Sequence, residues 1–126
     1  MPLIVTSQEK MPDIYVLYPV GSLDTNTYQV LEKKVDYLIG EGQAKVITLD
    51  MTGVHYLSSM GIRVVIKAKK QLQQRGGSLI MMNLQPQVQK VFEIIKALPS
   101  LRIFSSINEL DDYLTEMQRQ TIHGKE

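Results

Sequence analysis

The sequence predicts an α/β fold with a mixed, mostly parallel sheet of four to five strands, an N-terminal hairpin and about four helices. Two strand-like runs open the chain, helical and strand-like segments then alternate, and Gly or Pro residues separate them. Right-handed crossovers between parallel strands place such helices against the sheet. The 126 residues fit one domain, 1–126, with a core over about 3–117 and a frayed tail at 121–126.

The first half of the chain predicts a hairpin, a helix and a strand. The β-rich runs 2–5 and 14–20 form the hairpin, and turn residues at 21–26 lead into a helix that ends at Gly40 or Gly42. The apolar stripe of that helix contains Tyr28, Leu31, Val35, Leu38 and Ile39. Residues 45–49 form an apolar strand that ends in Asp50, and residues 52–58 are expected to form a loop.

The second half predicts three helices and two strands. The first helix covers 59–74, ends at the pair Gly76-Gly77, and buries Ile62, Val65, Ile66 and Leu72. After a strand at 79–82, a second helix runs from Pro86 to about Pro99 and buries Val88, Val91, Phe92 and Ile95. A last strand is expected at 101–104. Ser106 and Glu109 then form a capping box for a final helix that buries Ile107, Leu110, Leu114 and Met117.

The composition excludes several classes of protein. Hydrophobic residues make up 44% of the chain and charged residues 21%, which is typical of a globular domain. The 14 basic and 13 acidic residues are too evenly balanced to predict direct nucleic-acid binding. Without cysteine there are no disulfides and no thiolate zinc sites. We find neither a signal peptide nor an apolar run of about 20 residues, and therefore expect a cytoplasmic protein that does not insert into membranes.

The sequence carries no recognisable enzymatic motif. It lacks a phosphate-binding glycine loop, a GxSxG elbow and an HExxH helix, and its two histidines, His55 and His123, predict no metal site. His55 is a conceivable general base for Ser58 or Ser59, but no third group orients it, and a local hydrogen bond is the ordinary interpretation. Asp111 and Asp112 diverge by about 100° on a helix and are expected to be solvated.

The run Ser58-Ser59-Met60-Gly61 stands at the start of a helix, directly after a strand and its loop. Unpaired backbone N–H groups and the helix dipole favour a phosphate at this position. The alternative is that Ser58 or Ser59 is only an N-cap, which contributes about 1 kcal/mol. Further along, Arg63, Lys67 and Lys70 share one helical stripe, which predicts a solvated face or a partner contact.

Residues 46–105 resemble the STAS domain family, specifically its stand-alone anti-sigma factor antagonists. The resemblance lies in a strand ending in Asp, a GV loop, a Ser-Gly motif at a helix start, a Gly-Gly pair and a Pro-containing helix. The earlier Gly21-Ser22-Leu23-Asp24 is similar to the family's Gly-x-Leu/Ile-Asp loop. The resemblance implies a phosphorylatable serine at Ser59, with Ser58 as the alternative, and an acidic loop residue at Asp24. Ser58 stands where the family has aspartate, and Met60 where it has a small residue.

The resemblance also implies a function. The unphosphorylated protein would bind an anti-sigma factor with a GHKL-type serine kinase domain, phosphate on the serine would prevent binding, and a phosphatase would reset the switch. The partner surface would comprise Asp24, Ser58, Met60, Gly61, Ile62 and Arg63. The protein itself would be no enzyme and would hold neither cofactor nor metal, since ATP belongs to the kinase. The alternatives are an unphosphorylated STAS module, structural or ligand-sensing, in a transporter or signalling assembly, and a hydrolase that uses Ser59 with His55.

Overall fold

The computed structural model describes residues 2–97 and 106–122 and has the predicted α/β architecture. Its strands are β1 (Ile4–Met11), β2 (Ile14–Leu23), β3 (Val46–Asp50), β4 (Gly53–Leu57) and β5 (Ser78–Met82). Its helices are α1 (Tyr28–Gly40), α2 (Ser59–Gln74), α3 (Pro86–Ala97) and α4 (Ile107–Ile122). The predicted α/β class, mixed sheet and N-terminal hairpin are therefore confirmed.

Strand β2 organises the sheet because it has three neighbours. Strand β1 pairs with it antiparallel along one side, through the hairpin turn. Along its other side, the first half of β2 pairs in parallel with β3 and the second half pairs in parallel with β4. Strand β5 continues the sheet in parallel beyond β3. The ten residues of β2 thus hold two five-residue strands end to end.

The prediction that residues 52–58 form a loop is wrong, because Gly53–Leu57 forms strand β4. Gly53 and the exposed His55 interrupt the apolar pattern, so the local sequence does not indicate a strand. The second half of β2 supplies the hydrogen-bonding partner, with Leu23 opposite Leu57. The hairpin strands are also longer than predicted, because polar residues are tolerated on the exposed edge strand β1.

Glutamine side chains bond to backbone groups of β4 and of Thr52, the residue before it. Gln85 Nε2 donates to the carbonyl of Thr52 at 2.7 Å, and Gln87 Nε2 donates to that of His55 at 2.8 Å. Gln118 of α4 bonds to both backbone groups of Leu57. Side chains of α3, α4 and the residue before α3 therefore satisfy part of the backbone of this strand.

One hydrophobic core joins the sheet to the helices. The buried stripes of α1, α2 and α4 contain most of the predicted residues, including Leu31, Leu72 and Leu114, which are fully buried. Ile66 is an exception, because it is 39% exposed although it was predicted to be buried. It lines a solvent-open groove between α1 and α2. The left-handed conformation predicted at the end of α2 is present at Gly76, where φ is 75°.

The start of α4 agrees with the predicted cap, because the backbone N–H of Glu109 donates to Ser106 Oγ at 3.1 Å. The helix continues through Ile122, two residues into the tail that was expected to fray. Pro99, the strand predicted at 101–104 and His123 lie outside the described residues. Within the described ranges, none of the helices has the length and apolar character needed to cross a bilayer.

Candidate functional site

Ser58 links β4 to α2 and is the N-cap of that helix. Its Oγ accepts a 3.5 Å hydrogen bond from the N–H of Gly61, and its carbonyl accepts the N–H of Ile62 at 3.1 Å. Its own N–H donates to the carbonyl of Leu23 at 2.9 Å. The strand end and the helix start are therefore held together by backbone bonds, and the N-cap interpretation applies to Ser58.

Ser59, the residue predicted to carry phosphate, is the first residue of α2 and is only 5% exposed. Its Oγ is buried and has no hydrogen-bond partner among the described residues. Its backbone N–H donates to Asp111 Oδ1 of α4 at 2.8 Å. A buried hydroxyl without a hydrogen-bond partner lowers the free energy of unfolding by about 1–3 kcal/mol, so the packing of the fold alone does not explain a serine at this position.

Helix α4 contacts the β4–α2 junction through three polar side chains on one face, Asp111, Thr115 and Gln118. Thr115 Oγ1 lies 2.7 Å from the hydroxyl of Tyr56. Gln118 is 1% exposed; its Oε1 accepts the N–H of Leu57 at 2.9 Å and its Nε2 donates to the carbonyl of Leu57 at 2.8 Å. Their spacing of four and three residues puts all three over the junction.

The prediction that Asp111 is solvated surface is wrong. Asp112 is exposed, but Asp111 is half-buried against the start of α2. The two side chains do diverge on the helix as expected. Sequence reasoning also missed Gln118, although its position four residues after the buried Leu114 indicates the inner face of α4.

The loop after β2 lies beside the α2 N-terminus. Leu23 accepts the N–H of Ser58, and Asp24 follows it directly. Asp24 Oδ1 accepts the backbone N–H groups of Asn26 at 2.9 Å and Thr27 at 3.1 Å, and the carbonyl of Asp24 accepts the N–H of Tyr28 at 2.9 Å. Asp24 therefore shapes the turn that starts α1.

The predicted partner residues divide into an outer and an inner group. Met60 is half-buried and Arg63 is exposed, with Arg63 Nη1 3.8 Å from Met60 Sδ. Ile62 is 2% exposed and packs in the core, and Gly61 is buried. A Cβ on Gly61 would lie 2.7 Å from Leu57 Cδ1, so only glycine lets α2 approach the sheet this closely.

A solvent-open groove of about 560 Å³ runs between α1 and α2. Arg63, Lys67 and Lys70 line it, as expected for residues on one exposed stripe. Lys67 Nζ lies 3.4 Å from Glu32 Oε2 of α1. The groove is therefore predominantly basic, and it borders Met60 at the start of α2.

His55 makes a hydrogen bond, but not the local one expected. Its Nε2 lies 3.0 Å from Ser22 Oγ, 33 residues away on β2. His55 is exposed and paired with Ser22, so its described contacts do not engage it with Ser59. Within residues 2–97 and 106–122, no three His, Asp or Glu side chains converge on a common point that would hold a metal ion.

Comparisons with known proteins place the chain as a whole in a family. The STAS domain model matches residues 6–110. BtrV of Bordetella bronchiseptica, provisionally named an anti-sigma factor antagonist, is 32% identical over 88 residues, covering 70% of this chain and 75% of BtrV. The anti-sigma-B factor antagonist of Listeria monocytogenes is 28% identical over 95 residues, covering 75% of this chain and 82% of that protein.

Solved structures confirm the fold. The anti-sigma factor antagonist SpoIIAA in its unphosphorylated form superimposes with a TM-score of 0.63 at 21% identity, covering 72% of this chain and 83% of SpoIIAA. SpoIIAA of Bacillus in its phosphorylated form gives the same TM-score over 73% of this chain. At this level of identity the likeness is one of fold.

Proposed function

Because this chain belongs to the STAS domain family, we propose that it is an anti-sigma factor antagonist whose binding to an anti-sigma factor is switched off by phosphorylation of Ser59. The observation that carries the proposal is the position of Ser59. It is the first residue of α2, next to the loop that contains Asp24, in a chain whose relatives are named anti-sigma factor antagonists. In this role the protein is a binding protein and no enzyme.

The proposed switch acts through charge. A phosphate on Ser59 adds about −1.5 to −2 charges at neutral pH. These charges would enter a site that already holds the Asp111 carboxylate and that is next to the half-buried Met60 and the exposed Arg63. A partner surface that fits the neutral serine would then meet uncompensated charge, which weakens binding through repulsion and desolvation.

The proposed partner surface is formed by Asp24, Met60 and Arg63, whose side chains are at least partly exposed. Ser58, Gly61 and Ile62 support it from below, by capping α2 and by packing α2 on the sheet. The partner would be an anti-sigma factor with serine kinase activity, which supplies ATP binding. A phosphatase would restore the unphosphorylated form.

The test is phosphorylation by the anti-sigma factor kinase that copurifies with the protein from its host. Wild type, Ser58→Ala and Ser59→Ala are incubated with this kinase and ATP, and intact-mass and site-mapping spectrometry follow. One added phosphate that is lost only in Ser59→Ala supports the proposal. Loss only in Ser58→Ala moves the site to Ser58, and no phosphate from a kinase that modifies another substrate refutes the switch.

A second candidate function is that of an unphosphorylated STAS module with a structural or ligand-sensing role in a larger assembly. Two observations favour it: Ser58 replaces the family's aspartate, and the hydroxyl of Ser59 is buried. This candidate predicts stable copurification with partner subunits and no phosphate on either serine. The two functions are therefore separated by the same mass measurement.

A further inference from the structure

Helix α4 lies against the serine that the proposed function depends on, because Asp111 of α4 accepts the backbone N–H of Ser59, which is 5% exposed. We propose that α4 is a removable cover: it must leave the β4–α2 junction before Ser59 is phosphorylated, and the phosphate then competes with Asp111 for the start of α2. The inference deepens the proposed function and rests on it for the identity of the modifying enzyme. The cover itself is tested below without that enzyme.

The first step of the argument is access. In the transfer, the bond between Ser59 Oγ and the γ-phosphorus of ATP forms, the bond from that phosphorus to the β,γ-bridging oxygen breaks, ADP leaves, and the hydroxyl proton passes to a base on the kinase. Such a reaction requires the attacking oxygen to lie in line with the leaving oxygen. Ser59 Oγ is buried, so the kinase cannot reach it in the covered form.

The second step is competition for one anion position. The Ser59 N–H, at the positive end of the α2 dipole, already donates to Asp111 Oδ1 at 2.8 Å. A phosphate on the same residue would bring about two further negative charges next to this half-buried carboxylate, where water screens them only in part. The end of α2 favours one anion, so the phosphate displaces Asp111 and opposes the return of α4.

The third step is that α4 is suited to move as a unit. Its polar contacts with the junction come from one face, through Asp111, Thr115 and Gln118. The helix contributes no strand to the sheet, so its departure breaks none of the pairings of β2 and β3. It does take Leu110, Leu114 and Met117 out of the core, so the open form is a minor one. Gln118 bonds to Leu57, only two residues before Ser59, so displacement at Asp111 is transmitted along a single rigid helix.

The absence of cysteine allows a direct test of access. Ser59→Cys places a single, nearly isosteric thiol at the site in the full-length chain. The rate of its reaction with iodoacetamide is compared with the rate in urea-unfolded protein, and circular dichroism verifies the fold. We expect the folded protein to react at least about a hundredfold more slowly, because the reagent must wait for α4 to open.

Asp111→Asn in the Ser59→Cys background is expected to speed labelling about fivefold, because the asparagine Oδ1 still accepts the N–H of residue 59 but lacks the negative charge that makes such a bond about twice as strong. The matched control is Asp112→Asn, which makes the same charge change at the exposed neighbouring residue and leaves the rate unchanged. Equal rates for the two variants overturn the competition, and a folded protein that labels as fast as unfolded protein overturns the cover.

A second measurement tests displacement by charge. In the Ser59→Cys protein, a thiosulfonate reagent attaches either an anionic sulfonatoethyl group or a neutral methyl group to the thiol through a disulfide, with release of the sulfinate. Hydrogen exchange of the two adducts is then compared by mass spectrometry. The anionic adduct is expected to increase exchange in the α4 peptides 107–122 while the sheet peptides stay protected. Protected α4 peptides in the anionic adduct, or equal exchange in both adducts, overturn the proposal.

The kinase experiment uses the protein that retains Ser59, and its result is independent of the thiol labelling. If thiol labelling shows the cover but the kinase adds no phosphate, the proposed function fails while the cover stands. If the kinase phosphorylates Ser59 and the Asp111→Asn protein is phosphorylated at the same rate as the Asp112→Asn protein, the proposed function stands and the cover fails as its regulator.

Discussion

Replacing Ser59 with alanine is expected to stabilise the protein, although Ser59 is the residue proposed to carry its function. The hydroxyl is buried and has no partner among the described residues, which costs about 1–3 kcal/mol. Removing it leaves a void the size of one oxygen atom, which costs roughly 0.5 kcal/mol at about 24 cal/mol per Å³. The free energy of unfolding should therefore rise by about 0.5–2.5 kcal/mol.

The neighbouring serine provides a matched control of opposite sign. Ser58 Oγ caps α2 through the N–H of Gly61, and the 3.5 Å length of that bond indicates the weaker end of the usual capping range. Ser58→Ala should therefore lower the free energy of unfolding by about 0.5–1 kcal/mol. The same side chain is removed at adjacent positions, and the results differ in sign because only one hydroxyl has a partner.

Urea unfolding followed by far-ultraviolet circular dichroism measures both effects, provided that the m-values of the variants agree with that of wild type. In thermal unfolding the gain in Ser59→Ala should appear as a rise of roughly 2–10 °C in the midpoint, since each kcal/mol shifts the midpoint by about 4 °C at this chain length. A Ser59→Ala protein less stable than wild type would refute the reasoning, because it would mean that the hydroxyl has a hydrogen-bond partner.

Three further predictions concern the frame around the site. Gly61→Ala should lower the free energy of unfolding by about 1–3 kcal/mol, because the added Cβ would lie 2.7 Å from Leu57 Cδ1 and 2.8 Å from Leu23 Cγ. Urea unfolding measures this loss, and an unchanged midpoint would contradict the prediction. Gln118→Ala should lower the free energy of unfolding by about 2–4 kcal/mol, because it leaves the buried N–H and carbonyl of Leu57 unpaired. Replacing the exposed Gln120 with alanine should change it by less than about 0.5 kcal/mol, and similar losses in the two variants would contradict the role of the Gln118 bonds to Leu57. The pKa of Asp50 is lowered by hydrogen bonds from the side chain and backbone of Thr52, so its contribution to stability is present above its ordinary pKa and is lost as the pH falls through the lowered value. Thr52→Val should raise the pKa of Asp50, as measured by a carboxyl NMR titration, and an unchanged titration would contradict this cause.

The sequence predicted the parts of the fold that depend on local pattern. The spacing of apolar residues predicted the helices. Gly76, in the left-handed conformation, follows the end of α2, and Ser106 caps the start of α4. Strand β4 was missed because its stability comes from pairing with β2, and no local pattern encodes that pairing. Ile66 was assigned to the wrong face because its neighbours on α2 are also β-branched or aliphatic, so the edge of the stripe is poorly marked.

The candidate site was predicted only in part for a related reason. The α2 start and the Asp24 loop are adjacent in the structure, and both follow strand ends of one sheet, as a parallel sheet requires. The contribution of α4 was not predicted, because Asp111 lies 52 residues from Ser59 and looks like an ordinary charged surface residue. The sequence around an aspartate on a helix does not indicate which distant backbone N–H its carboxylate will accept.

The glutamines that bond to β4 have a consequence for self-association. They pair with backbone groups of Thr52, His55 and Leu57 that a further strand would otherwise bond to. An unpaired strand edge is a template for another chain, and these side chains block it without adding a strand. When α4 departs, the N–H and carbonyl of Leu57 lose Gln118 together. The form with α4 released is therefore the one in which edge-to-edge dimers and aggregates should arise.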